Sequence, residues 1–452
     1  MAERAMAPGP RSWSFLGQGR AFRRNPLEYL TWQHRQFGDF SHFRVLNIDA
    51  YLLAHPDYIR DLLLQHAGAT VKSMALQRTK SLLGEGLLTS EPPLHTRQRR
   101  LMQPAFHQER LLSYSAIMIR TGEEWLRRWD EMRLADRTVD LHGEMMQITM
   151  SIVVRALFSS DLAPVAHKLS QLTTLVVRMF PYLISPFGEY VEHLPLPVSR
   201  RYRQARERLD SLIYGLIGER RAGKTEGDDL LSMLLAAQDQ EAVASETRMT
   251  DRQIRDELIT LFLAGHETTA NALTWTWYLL SQNPEAEARF HQEIDQVLAG
   301  RSPGVADVPN LIYTNAILSE SMRLYPPAWG VSRITKQDIQ IGNHTVPRGS
   351  LCIASQWVTH RDPRFFPEPE RFLPERWTNE TVARPRFSYF PFGAGSRICI
   401  GERFAWMEAT LLLALLGQRW RFRLAAGAKV EPEPLITLRP KFGLIVNAAP
   451  RA

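Results

Sequence analysis

The chain has 452 residues, of which 44% are hydrophobic and 23% are charged. This composition is typical of a globular protein and excludes a disordered chain, a collagen and a coiled-coil rod. The formal net charge of +7 is small for this length, so we expect no nucleic-acid partner. The two cysteines, Cys352 and Cys399, are too few for a disulfide framework or a four-cysteine zinc site, and they indicate a reducing compartment.

Two segments bear on localisation. Residues 1–24 contain no apolar run long enough for a signal peptide or a membrane anchor. Residues 258–280 are long and apolar enough to span a bilayer, but their centre holds His266 and Glu267, which are costly at mid-bilayer depth. We therefore interpret 258–280 as a buried helix of a soluble, cytoplasmic protein, and we expect a monomer without a membrane anchor.

Hydrophobic periodicity predicts a mainly helical protein with a minor β lobe. An alternating pattern with a turn at Asp49 predicts a pair of strands within residues 40–55. Apolar residues at three- and four-residue spacing then predict helices over 57–65, 93–106, 109–132 and 141–157. The polar stretch 219–229 is predicted to be an exposed loop.

A long central helix is predicted next. Thr250 and Gln253 fit a capping box, and Pro284 stops the pattern, which gives ~32 residues and a length of ~48 Å. A helix over 316–324, strands within 334–358, an ordered loop over 362–377 and a late helix over 406–416 follow. No shift in composition marks a linker, so we expect one large domain.

The densest functional signal surrounds Cys399. Gly393 and Gly395 precede the cysteine and Gly401 follows it, so the backbone can fold tightly and approach a flat ligand closely. A helix begins just after the cysteine, and its dipole together with Arg397 favours the thiolate over the thiol. The alternative is a buried cysteine that packs as a small apolar residue, and Cys352 in its apolar strand is an example.

The segment resembles the haem-binding loop of the cytochrome P-450 superfamily. The fixed positions of that loop are filled by Phe392, Gly395, Arg397, Cys399 and Gly401. Three further family motifs occur in the family order: the acid–Thr pair Glu267-Thr268, the Glu-x-x-Arg motif Glu320–Arg323, and the Pro-Glu-Arg motif Pro374–Arg376. The resemblance runs from about residue 26 to 444. It implies an N-terminal extension over 1–25 and a single haem-thiolate monooxygenase domain over 26–452, with the central helix over a buried haem.

The resemblance also implies roles for individual residues. Cys399 would be the axial thiolate of haem b, and a thiolate in that position favours O–O cleavage. Thr268 would hydrogen-bond the bound oxygen and Glu267 would relay protons. Glu320, Arg323 and Arg376 would form a buried charged triad. The residues expected to contact haem are Phe392, Gly393, Arg397, Gly401, His95, Arg99, Arg333 and Ala264.

Each role has a structural alternative. Thr268 can simply satisfy a backbone carbonyl, an arginine can lie on a solvated face, and Glu320 with Arg323 can be a surface pair of little energetic value. His266 is interpreted as a structural residue. The residues proposed to contact substrate can equally be ordinary core residues, and they are Met74, Leu76, Phe180, Leu261, Ala328, Trp329 and Leu438.

The predicted function is a haem-dependent monooxygenase that inserts one oxygen atom of O₂ into a C–H or C=C bond of a lipophilic small molecule. The chain has no flavin or iron–sulfur segment, so a separate ferredoxin- or flavodoxin-type protein would supply electrons, docking on a basic face that includes Arg97, Arg100 and Arg403. Two alternatives remain open. One is a peroxygenase driven by H₂O₂, which the Glu267-Thr268 pair disfavours, and the other is a non-catalytic haem-binding sensor.

Overall fold

The computed structural model describes residues 7–10, 17–158, 194, 196–224, 227–239, 247–378 and 383–451. The α-helices in these residues are α1 Gly19–Arg24, α2 Pro26–Phe37, α3 Pro56–Arg60, α4 Met74–Arg78, α5 Lys80–Leu83, α6 Leu94–Met102, α7 Gln108–Glu131, α8 Leu141–Phe158, α9 Pro197–Arg221, α10 Leu230–Ala236, α11 Asp251–Gln282, α12 Pro284–Leu298, α13 Ile312–Leu324, α14 Gln356–Thr359 and α15 Glu402–Arg419. A π-helical turn, Asp61–Gln65, continues α3, and short 3₁₀ turns occupy Ala67–Ala69, Gln103–Phe106, Leu134–Asp136, Val305–Asn310, Pro374–Trp377 and Gly395–Arg397.

The strands are short and belong to small sheets. They are β1 Phe40–Val45, β2 Ile48–Leu53, β3 Thr70–Lys72, β4 Thr138–Asp140, β5 Val331–Thr335, β6 Ile339–Ile341, β7 His344–Val346, β8 Leu351–Ala354, β9 Trp420–Leu424, β10 Pro432–Pro434, β11 Leu438–Pro440 and β12 Ile445–Pro450. The largest sheet has the order β1-β2-β8-β5-β3, in which β2 and β8 are parallel and the other neighbours are antiparallel. The predominance of helix confirms the predicted mainly α protein with a minor β lobe.

The chain divides into two compact units. The first, which we call the sheet unit, comprises Met1–Met74, Ser319–Cys399 and Pro432–Arg439. The second, which we call the helical unit, comprises Ala75–Leu318, Ile400–Glu431 and Pro440–Ala452. Each unit has its own apolar core, as expected for independently packed layers of secondary structure. The sheet unit holds the five-stranded sheet and the Cys399 loop, and the helical unit holds α11.

The central helix α11 has the predicted bounds. Thr250 caps it, with a reciprocal hydrogen bond between the Thr250 amide and the Gln253 side chain. The helix runs for 32 residues and ends at Gln282, because Pro284 begins α12. Most of α11 is buried in the helical unit, in agreement with the interpretation of residues 258–280 as a buried helix. Within the described ranges, no helix is both long and apolar enough to cross a membrane.

Two local predictions were wrong, and one group of strands was not predicted. The stretch 219–229 is not simply an exposed loop, because it begins inside α9 and ends at the buried Asp229, which caps α10 and pairs with Arg220. Residues 356–359 form helix α14 rather than strand, because the Ser355 hydroxyl accepts from the Val358 amide and starts a helical turn. The strands after α15 were not predicted, although β9 alternates strictly between buried and exposed residues at its start.

Candidate active site

Cys399 lies at the end of a tight loop in the sheet unit, and it is exposed. The loop turns at Gly393 and Gly395, whose φ angles of 72° and 75° lie in the left-handed region that favours glycine. The Gly393 amide donates to the Phe390 carbonyl at 2.9 Å, and the Cys399 amide donates to the Phe392 carbonyl at 3.0 Å. These hydrogen bonds hold the backbone on both sides of the turn and leave the cysteine accessible.

The three glycines of this segment have different roles. A Cβ atom at Gly395 would lie 2.4 Å from the Leu63 carbonyl oxygen, so only glycine fits there. Gly401 has a φ of −90°, and a Cβ atom on it would come no closer than 3.8 Å to Phe106. The predicted need for glycine therefore holds at Gly393 and Gly395, and nothing in the described protein requires it at Gly401.

Cys352 provides the contrast with Cys399. Cys352 is fully buried in β8, and burial raises the pKa of its thiol to about 12. A thiol with such a pKa is inert at neutral pH, because the thiolate is the metal ligand and nucleophile. The interpretation of a lone cysteine as a small packed residue therefore applies to Cys352, whereas Cys399 is open to a ligand.

The predicted triad meets in the interior of the sheet unit. Both oxygens of the Glu320 carboxylate accept hydrogen bonds from Arg323, at 2.8 Å each, and Arg376 Nε donates to the same carboxylate at 3.2 Å. Trp377 Nε1 and the Leu373 amide also donate to it, at 2.8 and 3.0 Å. Glu320 and Arg323 are fully buried, so the alternative of a solvated surface pair does not apply. The cluster joins α13 to the loop that follows α14.

One stripe of α11 stays partly exposed in the middle of an otherwise buried stretch. Leu261, Ala264, Gly265 and Thr268 follow the i, i+3, i+4, i+7 spacing of one helix face. The Thr268 hydroxyl donates to the Ala264 carbonyl at 2.7 Å, and the Thr269 hydroxyl donates to the Gly265 carbonyl at 3.2 Å. The helix continues through these bonds without a break. A hydroxyl that donates to a carbonyl keeps its own oxygen as an acceptor, so Thr268 can still receive a hydrogen bond on this stripe.

The two titratable neighbours of Thr268 are buried. Glu267 is 5% exposed, and His266 is fully buried with its Nδ1 atom 2.8 Å from the Phe262 carbonyl oxygen. Burial lowers the pKa of His266 and keeps the imidazole neutral. His266 thus occupies the structural position expected for it.

Three cations meet at one edge of the five-stranded sheet. Arg333 on β5 stands directly opposite Lys72 on β3, and both are buried. Arg397 Nη2 lies 3.5 Å from the carbonyl oxygen of Thr70, the first residue of β3. Like charges directly opposite each other repel, so this edge favours an anionic ligand. Sequence analysis missed Lys72, whose only sequence signal is its position in the apolar-alternating strand β3.

The other predicted haem contacts lie on α6 in the helical unit. His95 is buried and Arg99 is partly buried, and the four-residue spacing places both on one face of α6. Arg97 and Arg100 lie on the same helix but contact the buried carboxylate of Asp239, at 3.0 and 2.6 Å. That carboxylate offsets part of the basic charge predicted for a docking face. Arg403 is exposed in the first turn of α15.

The residues suggested for substrate contact are not equivalent. Met74 is exposed, Leu76, Leu261 and Ala328 are partly buried, and Phe180 lies outside the described residues. Leu438 is fully buried, and its amide donates to the Pro327 carbonyl at 2.9 Å. Trp329 donates from Nε1 to the Leu435 carbonyl at 3.0 Å. Trp329 and Leu438 thus tie the 327–329 segment to residues 435–438 within the sheet unit.

An exposed cysteine in a glycine turn, a buried charged triad and a long central helix are the features that the resemblance implies for a haem-thiolate oxygenase. The sequence model of the family described as Cytochrome P450 matches residues 7–446. The chain belongs to the cytochrome P450 family, and it is a monooxygenase that uses haem iron and O₂ together with a redox partner and a small-molecule substrate.

Relatives in Streptomyces align over nearly the whole chain. A cyclooctatin synthase of Streptomyces melanosporofaciens is 40% identical over 448 residues, which cover 96% of this chain and 95% of that protein. A cyclooctat-9-en-7-ol 5-monooxygenase of the same species is 35% identical, with coverages of 94% and 93%. A pentalenene oxygenase of Streptomyces avermitilis is 34% identical, with coverages of 94% and 92%.

The residues present fit a haem. The exposed Cys399 offers a sulfur ligand, and the cationic edge formed by Lys72, Arg333 and Arg397 suits carboxylate substituents. The exposed stripe on α11 presents apolar atoms and one hydroxyl, which suits a flat apolar ring with a small polar ligand. These observations are consistent with the cofactor that the family uses.

Glu408 is a buried acid that sequence analysis missed. It lies on α15, is fully buried, and has both carboxyl oxygens enclosed without a well-formed hydrogen bond among the described residues. Burial raises its pKa from 4.5 to about 8, and the nearby Thr269 hydroxyl lowers it only in part. An acid in the middle of the apolar run 406–416 was the sequence signal that could have identified it.

Replacing Glu408 with glutamine is expected to flatten the pH dependence of stability. The folded-state pKa is raised, so the stabilising contribution is fully present below pH 4.5 and is lost as the pH rises towards 8. Glu408→Gln should therefore raise the free energy of unfolding at about pH 8, by up to roughly 4 kcal/mol, and change it little at about pH 5. Denaturant titration at both pH values measures this. The exposed Glu285→Gln change is the control, and an equal effect of both variants would contradict the prediction.

Proposed function

We propose that this P450 hydroxylates a cyclic terpene or terpene alcohol, with haem b held by Cys399. The observation that carries the ligand assignment is that Cys399 is accessible in its glycine turn, whereas Cys352, the other cysteine, is buried and inert. The names of two Streptomyces relatives support the substrate class, since they give cyclooctat-9-en-7-ol and pentalenene as the compounds oxidised. The apolar residues Leu261 and Ala328, which are partly buried, and Ala264, which is exposed, are consistent with a hydrocarbon substrate.

Haem b would activate O₂ when the Cys399 thiolate binds its iron. The propionates of haem b would be held by Arg333, Lys72 and Arg397 at the sheet edge, and by His95 and Arg99 on α6. Gly393 and Gly395 would allow the backbone to approach the porphyrin closely. The Glu320–Arg323–Arg376 cluster would keep this loop in place.

Protons would pass along the exposed stripe of α11. Thr268 would hold a water at its hydroxyl oxygen while the hydroxyl group donates its hydrogen bond to the Ala264 carbonyl. The buried Glu267, adjacent in sequence, would accept and release the protons that this water carries. Most of α11 around the stripe is buried, which would limit the approach of bulk water to this face.

The electron donor is proposed to be a ferredoxin- or flavodoxin-type protein. Arg403, in the first turn of α15, is exposed and would contribute a positive charge to the face on which the donor docks. Arg97 and Arg100 would contribute the part of their positive charge that the Asp239 carboxylate does not neutralise. We further propose that residues 26–452 act as one haem-thiolate domain in the cytoplasm. The family match supports this, because it runs across the segments of both units.

The substrate proposal is tested by optical titration of the purified enzyme. A panel of cyclic terpene hydrocarbons, cyclic terpene alcohols and linear fatty acids should produce the substrate-type shift of the haem spectrum with the cyclic compounds at the lowest concentrations. Product formation from the tightest ligand is then compared with O₂ plus a ferredoxin system and with H₂O₂ alone. Tighter binding of linear fatty acids, or turnover with H₂O₂ alone, would contradict the proposal.

Replacing Thr268 with alanine is expected to divert electrons from product to peroxide. The variant removes the hydroxyl from the exposed stripe but keeps the helix, since alanine is a strong helix former. Peroxide released per NAD(P)H consumed should rise several-fold, because the bound oxygen would lose a group that positions its proton donor. Thr276→Ala is the matched control, because the Thr276 hydroxyl also donates to an i−4 carbonyl, at 2.7 Å, but is fully buried. Equal coupling in both variants would remove Thr268 from the relay.

A further inference from the structure

His360 lies in the interior of the sheet unit, between the charged triad and the Cys399 loop. It follows α14 directly and is fully buried. Its carbonyl oxygen accepts a hydrogen bond from Arg323 Nη1 at 2.9 Å, so its backbone is tied to the triad. Its ring packs against Tyr389 and Phe390, with centroid distances of 5.0 and 5.2 Å.

The ring of His360 accepts a backbone hydrogen bond from the start of the loop. The Phe390 amide donates to His360 Nε2 at 3.0 Å. Because an amide nitrogen can only donate, Nε2 must carry the lone pair, and the ring proton must be on Nδ1. Burial and the nearby guanidinium groups of Arg323 and Arg361 lower the pKa of His360 well below its ordinary value, so the neutral form persists.

The end of α13 has a carbonyl that its own helix cannot satisfy. Met322 lies in the last turn of α13, and the residue four positions later, which would normally donate to its carbonyl, is Pro326. Proline has no amide hydrogen, so that helical bond cannot form. The Met322 carbonyl offsets part of the lowering of the His360 pKa, but Nδ1 has no hydrogen-bond partner among the described residues. His360 is therefore tied to α13 by the hydrogen bond from Arg323 to its backbone carbonyl, and its ring joins this position to the Phe390 amide.

The hydrogen bonds continue from Phe390 to the cysteine. The Phe390 carbonyl accepts from Gly393, and the Phe392 carbonyl accepts from the Cys399 amide. The Phe390 amide is the group through which His360 holds the first residue of this series. Residue 391 is a proline, so it has no amide hydrogen that could form a second hydrogen bond at the start of the loop.

We propose that His360, which Arg323 ties to α13, is a positioning residue for the Cys399 loop, because its neutral Nδ1–H tautomer accepts the hydrogen bond of the Phe390 amide. The imidazole holds the backbone of Phe390, where the loop begins. The hydrogen bonds within the loop then fix the position of Cys399 relative to Phe390. The consequence for the axial sulfur rests on the proposed role of Cys399 as the haem ligand. The bridge itself does not depend on that role.

Substitution of His360 by glutamine or by asparagine distinguishes the two nitrogen positions of the ring. The terminal group of glutamine reaches the position of Nε2, whereas that of asparagine reaches the position of Nδ1. His360→Gln should therefore keep an acceptor for the Phe390 amide, and His360→Asn should lose it. His360→Phe removes the acceptor for the Phe390 amide but keeps an aromatic ring. His291→Phe is the matched control, because His291 is 3% exposed and neither of its ring nitrogens has a hydrogen-bond partner among the described residues.

The test measures hydrogen exchange of the peptide spanning residues 386–401 in the holoenzyme, together with the Soret band of its ferrous carbonyl complex. In His360→Asn and His360→Phe, exchange in this peptide should be about tenfold faster or more, as expected for one lost buried hydrogen bond. Part of the Soret band should move away from the thiolate position. His360→Gln and His291→Phe should match the wild type in both readouts. If His360→Phe does not fold, the asparagine and glutamine pair alone gives the comparison.

Two results would overturn the proposal. Unchanged exchange in His360→Asn would show that the ring does not hold the Phe390 amide. Faster exchange with an unchanged Soret band would show that the bridge does not position the sulfur. A wild-type enzyme without a thiolate-type band would instead refute the ligand role of Cys399, which is a failure of the proposed function and is recognised before any variant is made.

Discussion

Replacement of Cys399 with histidine is expected to abolish the thiolate-type Soret band of the ferrous carbonyl complex and with it monooxygenase turnover. A neutral imidazole cannot donate electron density as a thiolate does, so O–O cleavage loses its main driving contribution. The expected loss of activity is at least on the order of a thousandfold, comparable to the removal of a group that acts only in the transition state. Carbonyl difference spectra and product formation measure the two effects.

The control for this prediction is Cys352→Ala. Cys352 is the other thiol of the chain, but it is buried and its pKa is raised to about 12. Removal of one buried sulfur should lower stability by about 1–2 kcal/mol without changing the carbonyl spectrum. A Cys399→His enzyme that keeps the thiolate band, or a Cys352→Ala enzyme that loses it, would contradict the assignment of the ligand.

The central helix and the Glu320–Arg323 pair were more predictable from the sequence than the loops were. Both bounds of α11 were predictable because the capping box at Thr250 and the stop at Pro284 are local signals. The Glu320–Arg323 pair follows from i, i+3 spacing on one helix. The helix bounds and this pair therefore follow from neighbouring residues, whereas Arg376, 56 residues from Glu320, was assigned only by the family resemblance.

Contacts between distant segments were not predictable in the same way. Lys72 and Arg333 are opposite each other only because β3 pairs with β5 in one register. The bridge made by His360 depends on Phe390, which is 30 residues away in sequence. Asp239, which binds two arginines of α6, is more than 100 residues from both. Charge patterns therefore indicated a basic face, while the carboxylate that offsets it became visible only in the fold.

Replacement of Glu320 with glutamine is expected to be the most destabilising single change in the sheet unit. Glutamine keeps the shape of the side chain but removes the negative charge that Arg323 and Arg376 share. Two buried guanidinium groups would then face a neutral amide, and a buried pair that loses one partner typically costs about 3–5 kcal/mol. The amide can also offer one oxygen only, whereas the carboxylate accepts with both.

The consequence extends beyond stability because Arg323 also anchors the chain around the cluster. It donates to the carbonyls of Pro369 and Arg371, at 2.6 and 3.0 Å, as well as to that of His360. If the guanidinium turns away from the uncharged amide that replaces the carboxylate, these backbone contacts weaken together, and the loop that carries Cys399 loses its support. We therefore expect Glu320→Gln to lower both the free energy of unfolding and the haem bound per protein molecule.

The matched control is Glu431→Gln, which breaks the exposed pair between Glu431 and Lys441 at 2.7 Å. A surface pair of this kind contributes at most about 1 kcal/mol, since water solvates both charges when they separate. Denaturant titration and the ratio of haem to protein absorbance should separate the two variants clearly. If Glu320→Gln behaved like Glu431→Gln in both measurements, the buried cluster would not be what holds the loop after α14 and the cysteine loop together. The hydrogen bonds from Arg323 to backbone carbonyls would then have to compensate alone for the cost of burying the charges of the cluster.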